Sequence, residues 1–404
     1  MIEATHTQKD KHVVFAWELG TGYGRVAGLK PFVEALLHQG FKVTVIARLL
    51  DTAHTVLGHL DVSIFQAPFF SGDVVSLDKT YTLAEVLLGY GYADTETLLP
   101  TTSSWVDYLS HLEPDLVVTD AAPTAVLACR VRLIPFITLD SGFYVPPATV
   151  TSFTGMPEPE KKRRVRHESR VINAINGVLT RFGTPSIGSF VELFSTADTY
   201  LFTLPELDYY PGRKKANYLG SRFDDTMGGH IEWPVSNQNK RIFAYLHETT
   251  NSFERMFKGL SECGCSVIAH VPHPSRATTL LASASANLTL CPNPVLMQNV
   301  YEEADLIVCE AGHGVVSGAL LHGCRLLLVP ASLEQNILAF RLTQQKLAMA
   351  VPQAWLDKAA IAIDAALRHP EPGANAERFR GKYEGFSRQQ QTMTFLDACE
   401  RLLN

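Results

Sequence analysis

The residues best suited to chemistry lie in one stretch of the second half, Ala304-Asp305-Leu306-Ile307-Val308-Cys309-Glu310-Ala311-Gly312-His313-Gly314-Val315-Val316-Ser317. An apolar run of strand length passes through a small-residue turn into a helix that starts near His313. At a helix start several backbone N–H groups lack partners and the dipole is positive, so a diphosphate fits there. Gly312 and Gly314 let phosphate oxygens approach the backbone, His313 adds a donor, and Ser317 lies one turn further in. The same residues also describe a tight strand-to-helix turn with a satisfied histidine. A second stretch, Val329-Pro330-Ala331-Ser332-Leu333-Glu334-Gln335-Asn336, follows the next strand, and in a parallel sheet it opens on the same edge. Glu334 and Gln335 set an acceptor beside a mixed donor and acceptor, the pairing that sugar hydroxyls need. Ser332 also suits a helix N-cap with Glu334 in the first turn, and the two roles are compatible.

The elements that must carry these residues follow from the apolar pattern. Val13–Trp17, Lys42–Ala47, Asp115–Asp120 and Pro135–Leu139 read as buried strands with helical stretches among them. The alternation restarts at Arg241–Leu246 and continues through Cys265–Ala269, Asn287–Leu290, Asp305–Cys309 and Arg325–Val329. The expected fold class is α/β, with two Rossmann-like doubly wound domains facing a cleft. The domains are expected at 1–222 and 241–385, with a Gly-, Pro- and polar-rich linker at 223–240. Residues 386–404 read as a last helix, for which packing back on the N-terminal domain is one option.

Composition bounds the function. The 404 residues carry a net charge of -6, which disfavours nucleic acid as a partner. A basic run, Lys161 to His167, is either a solvated helix face or a peripheral contact with anionic lipid or an anionic acceptor. No apolar run is long enough to span a membrane and the N-terminus has no signal-like core. The seven cysteines are irregularly spaced and form no CxxC pair, so no metal site is expected and a reducing cytoplasm is the natural compartment.

Taken together, His313-Gly314-Val315-Val316-Ser317 and Pro330-Ala331-Ser332-Leu333-Glu334-Gln335-Asn336, one strand apart, resemble the donor half of GT-B glycosyltransferases. The resemblance is to the nucleotide-sugar family that includes UDP-glycosyltransferases and macrolide-type transferases, in an uncharacterised bacterial branch. It implies that the His313 helix start holds the diphosphate of a UDP- or dTDP-sugar and that Glu334 and Gln335 hold the sugar. Pro292-Asn293-Pro294-Val295 resembles the loop whose backbone reads the base, and Tyr245 to Thr250 resembles a donor loop with Thr249 in contact. Pro205 to Gly212, with Tyr218-Leu219-Gly220, resembles the end of the N-terminal domain. The nucleotide sugar is then a substrate, no cofactor is implied, and the acceptor is a small molecule or lipid.

The N-terminal loop departs from that family. It reads Glu18-Leu19-Gly20-Thr21-Gly22-Tyr23-Gly24-Arg25, and Arg25 stands where the family has its catalytic histidine. A guanidinium only donates and does not deprotonate, so Arg25 suits a clamp on phosphate or carboxylate. Glu18, Asp120 and Asp140 end N-domain strands, which makes Glu18 the first candidate base and Asp120 the second. Equally, these acids pair with Arg25 or cap helices. Gly22, Tyr23, Phe143 and Tyr144 are the candidate acceptor contacts. Two rival functions remain. Gly22-Tyr23-Gly24-Arg25-Val26-Ala27 matches a dinucleotide fingerprint, and Arg48 suits a 2′-phosphate, as in an NADP-dependent oxidoreductase. Glu18 to Thr21 intervene between strand and fingerprint, and the His313 and Glu334 segments would go unexplained. The other rival is a catalytically impaired nucleotide-sugar binder.

Overall fold

The computed structural model describes residues 11–20, 23–72, 77, 79–148, 152–155, 160–195, 198–210, 212–214, 216–221, 228–236 and 238–403. They divide into two compact units, Met1–Leu204 with Tyr210–Gly220 and Ser387–Asn404, and Pro205–Tyr209 with Ser221–Phe386.

The first unit holds strands β1 (His12–Trp17), β2 (Lys42–Ala47), β3 (Ser63–Gln66), β4 (Leu116–Asp120), β5 (Phe136–Asp140), β6 (Asp198–Leu201) and β7 (Asn217–Tyr218). They form one sheet of seven in the order β3-β2-β1-β4-β5-β6-β7, each neighbour parallel. The central strands are buried along their length, which is why they read as unbroken apolar runs. The helices are α1 (Tyr23–His38), α2 (Leu50–Leu57), α3 (Leu83–Leu88), α4 (Thr95–Leu112), α5 (Pro123–Arg132) and α6 (Lys161–Arg181). The basic run opens α6 and is not a uniform face. Arg163 Nε and His167 Nδ1 each lie 2.8 Å from Glu85 Oε1, a fully buried carboxylate, whereas Lys161, Lys162 and Arg166 are exposed. Two of its basic side chains therefore serve packing rather than a membrane surface.

The second unit repeats the plan with β8 (Arg241–Tyr245), β9 (Ser266–His270), β10 (Leu288–Cys291), β11 (Leu306–Cys309), β12 (Leu326–Leu328) and β13 (Met349–Ala350). The order is β10-β9-β8-β11-β12-β13, again all parallel. Around it lie α7 (Phe253–Glu262), α8 (Arg276–Ser283), α9 (Met297–Glu303), α10 (His313–Leu321), α11 (Leu333–Gln344), α12 (Ala359–Arg368) and α13 (Pro370–Lys382). The last helix, α14 (Arg388–Leu403), belongs to the first unit. Phe395 is fully buried there, 4.8 Å from Phe32 and 6.2 Å from Phe15 by ring centroids. Gln391 Nε2 donates to the Leu219 carbonyl at 3.1 Å, and Arg401 pairs with Asp198.

Two segments differ from their sequence reading. Residues 205–209 go with the second unit. The Glu206 carboxylate takes Lys382 and the Tyr383 hydroxyl, and its carbonyl takes Arg341 Nε at 2.6 Å and Gln345 Nε2 at 2.8 Å. The described part of 223–240 is not a bare linker, because Gly229 pairs with the Val295 segment and Trp233 Nε1 donates to Glu303 at 2.9 Å. Such pairings need no side-chain periodicity, so a composition reading passes over them. Among the described residues no helix is long and apolar enough to cross a membrane.

Candidate functional site

In an open parallel sheet, ligands gather outside the carboxyl ends of the strands where the chain order reverses direction. In the second unit that point lies at β8 and β11, which pair with Tyr245 opposite Cys309. From β11 the chain passes through buried Glu310 and through Ala311, held at φ 63°, into Gly312 and α10. A left-handed alanine is a strained conformation, of the kind kept where surrounding structure fixes it. Gly312 occupies the N-cap with no side-chain cap bond, and a Cβ built there meets nothing within 4 Å. The positive end of α10 is therefore open, with His313 and Gly314 half-buried beside it. Ser317, expected as a donor contact, lies inside the fold. It is fully buried, and its hydroxyl donates back to the carbonyls of His313 at 2.7 Å and Gly314 at 3.1 Å while meeting Ser221. It closes the first turn of the helix and presents no surface to a ligand.

At the end of β12, Ser332 and Gln335 form a capping box on α11. Gln335 Oε1 accepts from the amides of Ala331 at 2.9 Å and Ser332 at 3.0 Å, so its acceptor is committed to the capping box. Glu334 Oε1 accepts from the Tyr209 hydroxyl at 3.0 Å. The Tyr209 ring, itself buried, also lies 6.2 Å from the His313 ring by centroids. One tyrosine thus ties the two motifs together, and the sequence reading placed it in the other domain. Tyr209→Phe removes one donor from Glu334 and is expected to cost the second unit about 1 kcal/mol of stability, which denaturant unfolding checks.

The loop after β8 meets the end of β11. Glu310 accepts from the His247 amide at 2.6 Å and lies 2.7 Å from its Nδ1. That hydrogen bond, against the opposing effect of burial, raises the His247 pKa above its ordinary value. Burial, with a smaller contribution from the Glu310 charge, pushes the neighbouring Tyr245 phenol up to about 12. Thr250 donates to the His247 carbonyl at 3.0 Å and lies 3.5 Å from Glu310 Oε1. Beside it is a cavity of about 210 Å³ lined by Thr249, Thr250, Asn251, Ser252, Ala331 and Gln353. Thr249 is exposed on its wall. Val295 is buried, and the bonds to Gly229 use the Pro294 carbonyl and the Leu296 amide, which leaves the Val295 peptide groups outside that pairing. Sequence reasoning quoted this loop without singling out His247 or Glu310. The available signal was two ionisable residues just past neighbouring parallel strands.

The equivalent point of the first unit, at β1 and β4, gathers Glu18, Arg25 and Asp120. Glu18 is 1% exposed, and its oxygens accept from the Thr124 amide at 2.9 Å and the Thr124 hydroxyl at 2.6 Å. It caps α5 from a distant strand, and both of its oxygens are engaged there. Burial, opposed by those bonds, raises its pKa to about 7. Arg25 Nη1 donates to Asp120 Oδ1 at 2.9 Å, and its guanidinium lies 5.5 Å from the centre of the Tyr144 ring. Gly20, at φ 78°, makes room for it, since a Cβ there would sit 2.9 Å from Arg25 Nε. Asp140 Oδ1 accepts from the amides of Gly142 and Tyr144 and so orders the following turn. Phe143 is a core residue, stacked on Phe153 at 4.7 Å and 3% exposed, and Tyr144 is buried as well. Among the described residues both rings pack on neighbours, Phe143 on Phe153 and Tyr144 edge-on to Phe143 at 4.9 Å. Tyr23 is half-buried against the sheet core, and Gly22 lies outside the described residues. Arg48 lays its guanidinium 3.4 Å from the centre of the Phe69 ring.

No family model and no curated protein matches the chain. Solved structures do match. The glycotransferase of kitacinnamycin aligns at 14% identity over 98% of this chain and 100% of its own, with a TM-score of 0.68. CalG4, the calicheamicin glycosyltransferase, aligns at 16% identity over 97% and 99%, with a TM-score of 0.69. The glycosyltransferase VinC in complex with dTDP aligns at 15% identity over 97% and 99%, with a TM-score of 0.66. Agreement over nearly the whole of both chains at so low an identity is agreement of fold, and this chain therefore has the GT-B fold of the antibiotic glycosyltransferases.

Proposed function

We propose that the protein is a glycosyltransferase that moves a hexose-type sugar from a UDP- or dTDP-sugar, bound by the second unit, to a small-molecule or lipid acceptor bound by the first. The observation that carries the reading is the open N-terminus of α10 directly after β11, with Glu334 and Tyr209 beside it. A structural neighbour solved with dTDP and another, the spinosyn rhamnosyltransferase SpnG, solved with thymidine diphosphate and with spinosyn aglycone, support the donor and acceptor classes.

Transfer proceeds with inversion. The acceptor oxygen attacks the anomeric carbon, the bond to the diphosphate breaks, and its electron pair leaves on the diphosphate oxygen. The α10 amides and His313 offset the charge that develops there. With Glu18 engaged at α5, the acceptor proton is assigned to Asp120 at the end of β4. Arg25 Nη1 holds one of its oxygens at 2.9 Å. That same pairing favours a second reading, a nucleotide-sugar binder without turnover.

A thermal-shift panel with UDP, dTDP and NADPH, followed by donor turnover, separates these. UDP or dTDP is expected to raise the melting temperature and NADPH is not. His313→Ala is expected to lower kcat/KM for the donor by on the order of 100-fold. Unchanged donor affinity and turnover in that variant overturn the site. Stabilisation by NADPH alone supports the oxidoreductase, and stabilisation by nucleotide with no sugar consumed over an acceptor panel supports the binder.

A further inference from the structure

We infer that His247, oriented by Glu310, is a further donor-binding residue of the second unit, an imidazolium whose Nε2–H is directed to the diphosphate of the nucleotide. The inference rests on the reading of that unit as the donor-binding one and goes beyond the helix start that defines it.

The register places the pair. Tyr245 and Cys309 end adjacent strands opposite each other, and His247 lies two residues past the first while Glu310 lies one past the second. Glu310 stands three residues before His313, so the imidazole is fixed to the turn that leads into α10. The carboxylate holds both the His247 amide and its Nδ1, which fixes the ring and keeps the proton on Nδ1. Nε2 then points away from Glu310. The side chain is 42% exposed against 6% for Glu310, so the dyad has a buried anchor and an outward tip. Thr250 bonds the dyad and also lines the neighbouring cavity, so the pair sits one residue back from its wall.

The groups around His247 set its charge. Glu310 faces it from β11. From β8, the Tyr245 ring lies 5.1 Å away, and from β9, His270 lies behind that ring at 4.7 Å with its Nδ1 on the Cys291 carbonyl. Burial first, and the His247 charge to a lesser degree, hold His270 below its ordinary pKa. Glu248 turns away to the Ser275 amide and the Thr278 hydroxyl. A neutral His247 with its proton on Nδ1 offers a lone pair at Nε2, which repels phosphate. The imidazolium offers an N–H instead, so diphosphate binding is linked to holding this proton.

Calorimetric titration of the full chain with dTDP and UDP from pH 6 to 9, in buffers of different ionisation enthalpy, tests this. The wild type is expected to weaken as pH rises above the raised His247 value and to take up protons on binding in that range. His247→Gln is expected to bind about tenfold more weakly at pH 6.5, to lose that part of the pH dependence and to take up fewer protons. Glu310→Gln is expected to move the fall in affinity to lower pH, a displacement that a merely structural loop contact does not produce. Melting curves of both variants show that the unit is folded. Equal affinity, pH slope and proton uptake in wild type and His247→Gln overturn the inference and leave the donor reading intact. Failure of the wild type to bind either nucleotide overturns the donor reading itself and this inference with it.

Discussion

Replacing Arg25 by Ala is expected to destabilise the first unit by about 3 kcal/mol, the lower end of the range for removing one member of a buried ion pair. Asp120 is 1% exposed and its partner side chain 11%, so the carboxylate left behind has little access to water. The partial exposure of Arg25 is what keeps the value at the low end. Asp120→Ala removes the buried charge together with its partner's role and is expected to lose less. The double variant should be more stable than the sum of the single losses predicts, because the uncompensated carboxylate is gone. Unfolding of a chain with two units is not one two-state event, so the readout is the transition that the Arg25 and Asp120 variants share. A loss below about 1 kcal/mol for Arg25→Ala would mean that the pair is solvated and the edge of β4 open. The result bears on mechanism as well, since a carboxylate that depends on Arg25 for its place in the fold is a constrained proton acceptor.

What could be read from the sequence, and what could not, divides along one physical line. His12–Trp17, residues 43–47 of β2 and Leu306–Cys309 are buried on both faces, so burial wrote them as mainly apolar runs. β3, with Ser63, Phe65 and Gln66 exposed, and the two-residue β7 and β13 carry no such pattern. The α10 start was visible because strand, turn and helix are contiguous in the chain. The partners that complete it come from elsewhere. Tyr209 reaches Glu334 across 125 residues and His247 reaches Glu310 across 63. Which residues meet at such distances is decided by strand order, and local spacing does not encode it. The same limit explains Arg163 and His167, whose partner Glu85 lies 78 and 82 residues away, so that they read as members of a solvated charge run. It also explains Glu18. A carboxylate at a strand end looks like a base until the helix 106 residues further along is seen to use both of its oxygens.

That last residue carries a prediction of similar size, and one that depends on pH. Glu18→Ala strips two acceptors from the N-terminus of α5 and leaves the Thr124 amide and hydroxyl without them in a buried place. The Tyr92 hydroxyl, 2.8 Å from the Thr124 hydroxyl, loses the ordered partner it packs on. The expected loss is about 3 kcal/mol. The wild-type carboxyl is raised from 4.5 to about 7, chiefly by burial. A folded pKa above the unfolded one favours the protonated group in the folded state. Its contribution is therefore fully present below pH 4.5 and is lost as pH rises through about 7, by on the order of 3 kcal/mol. Glu18→Gln cannot ionise, so the stability of wild type minus that of Glu18→Gln should fall between pH 5 and pH 8. Denaturant unfolding at a series of pH values measures it. A flat difference would mean that the Thr124 bonds outweigh burial and that Glu18 is an ordinary ionised cap. Acceptor turnover by Glu18→Gln tests whether Glu18 is the general base, because loss of such a base typically lowers the rate by a factor of about 100 or more. A cap buried against α5 gives a variant that turns over within a few-fold of wild type, and a drop at that larger scale, with the fold intact, would return the base to Glu18.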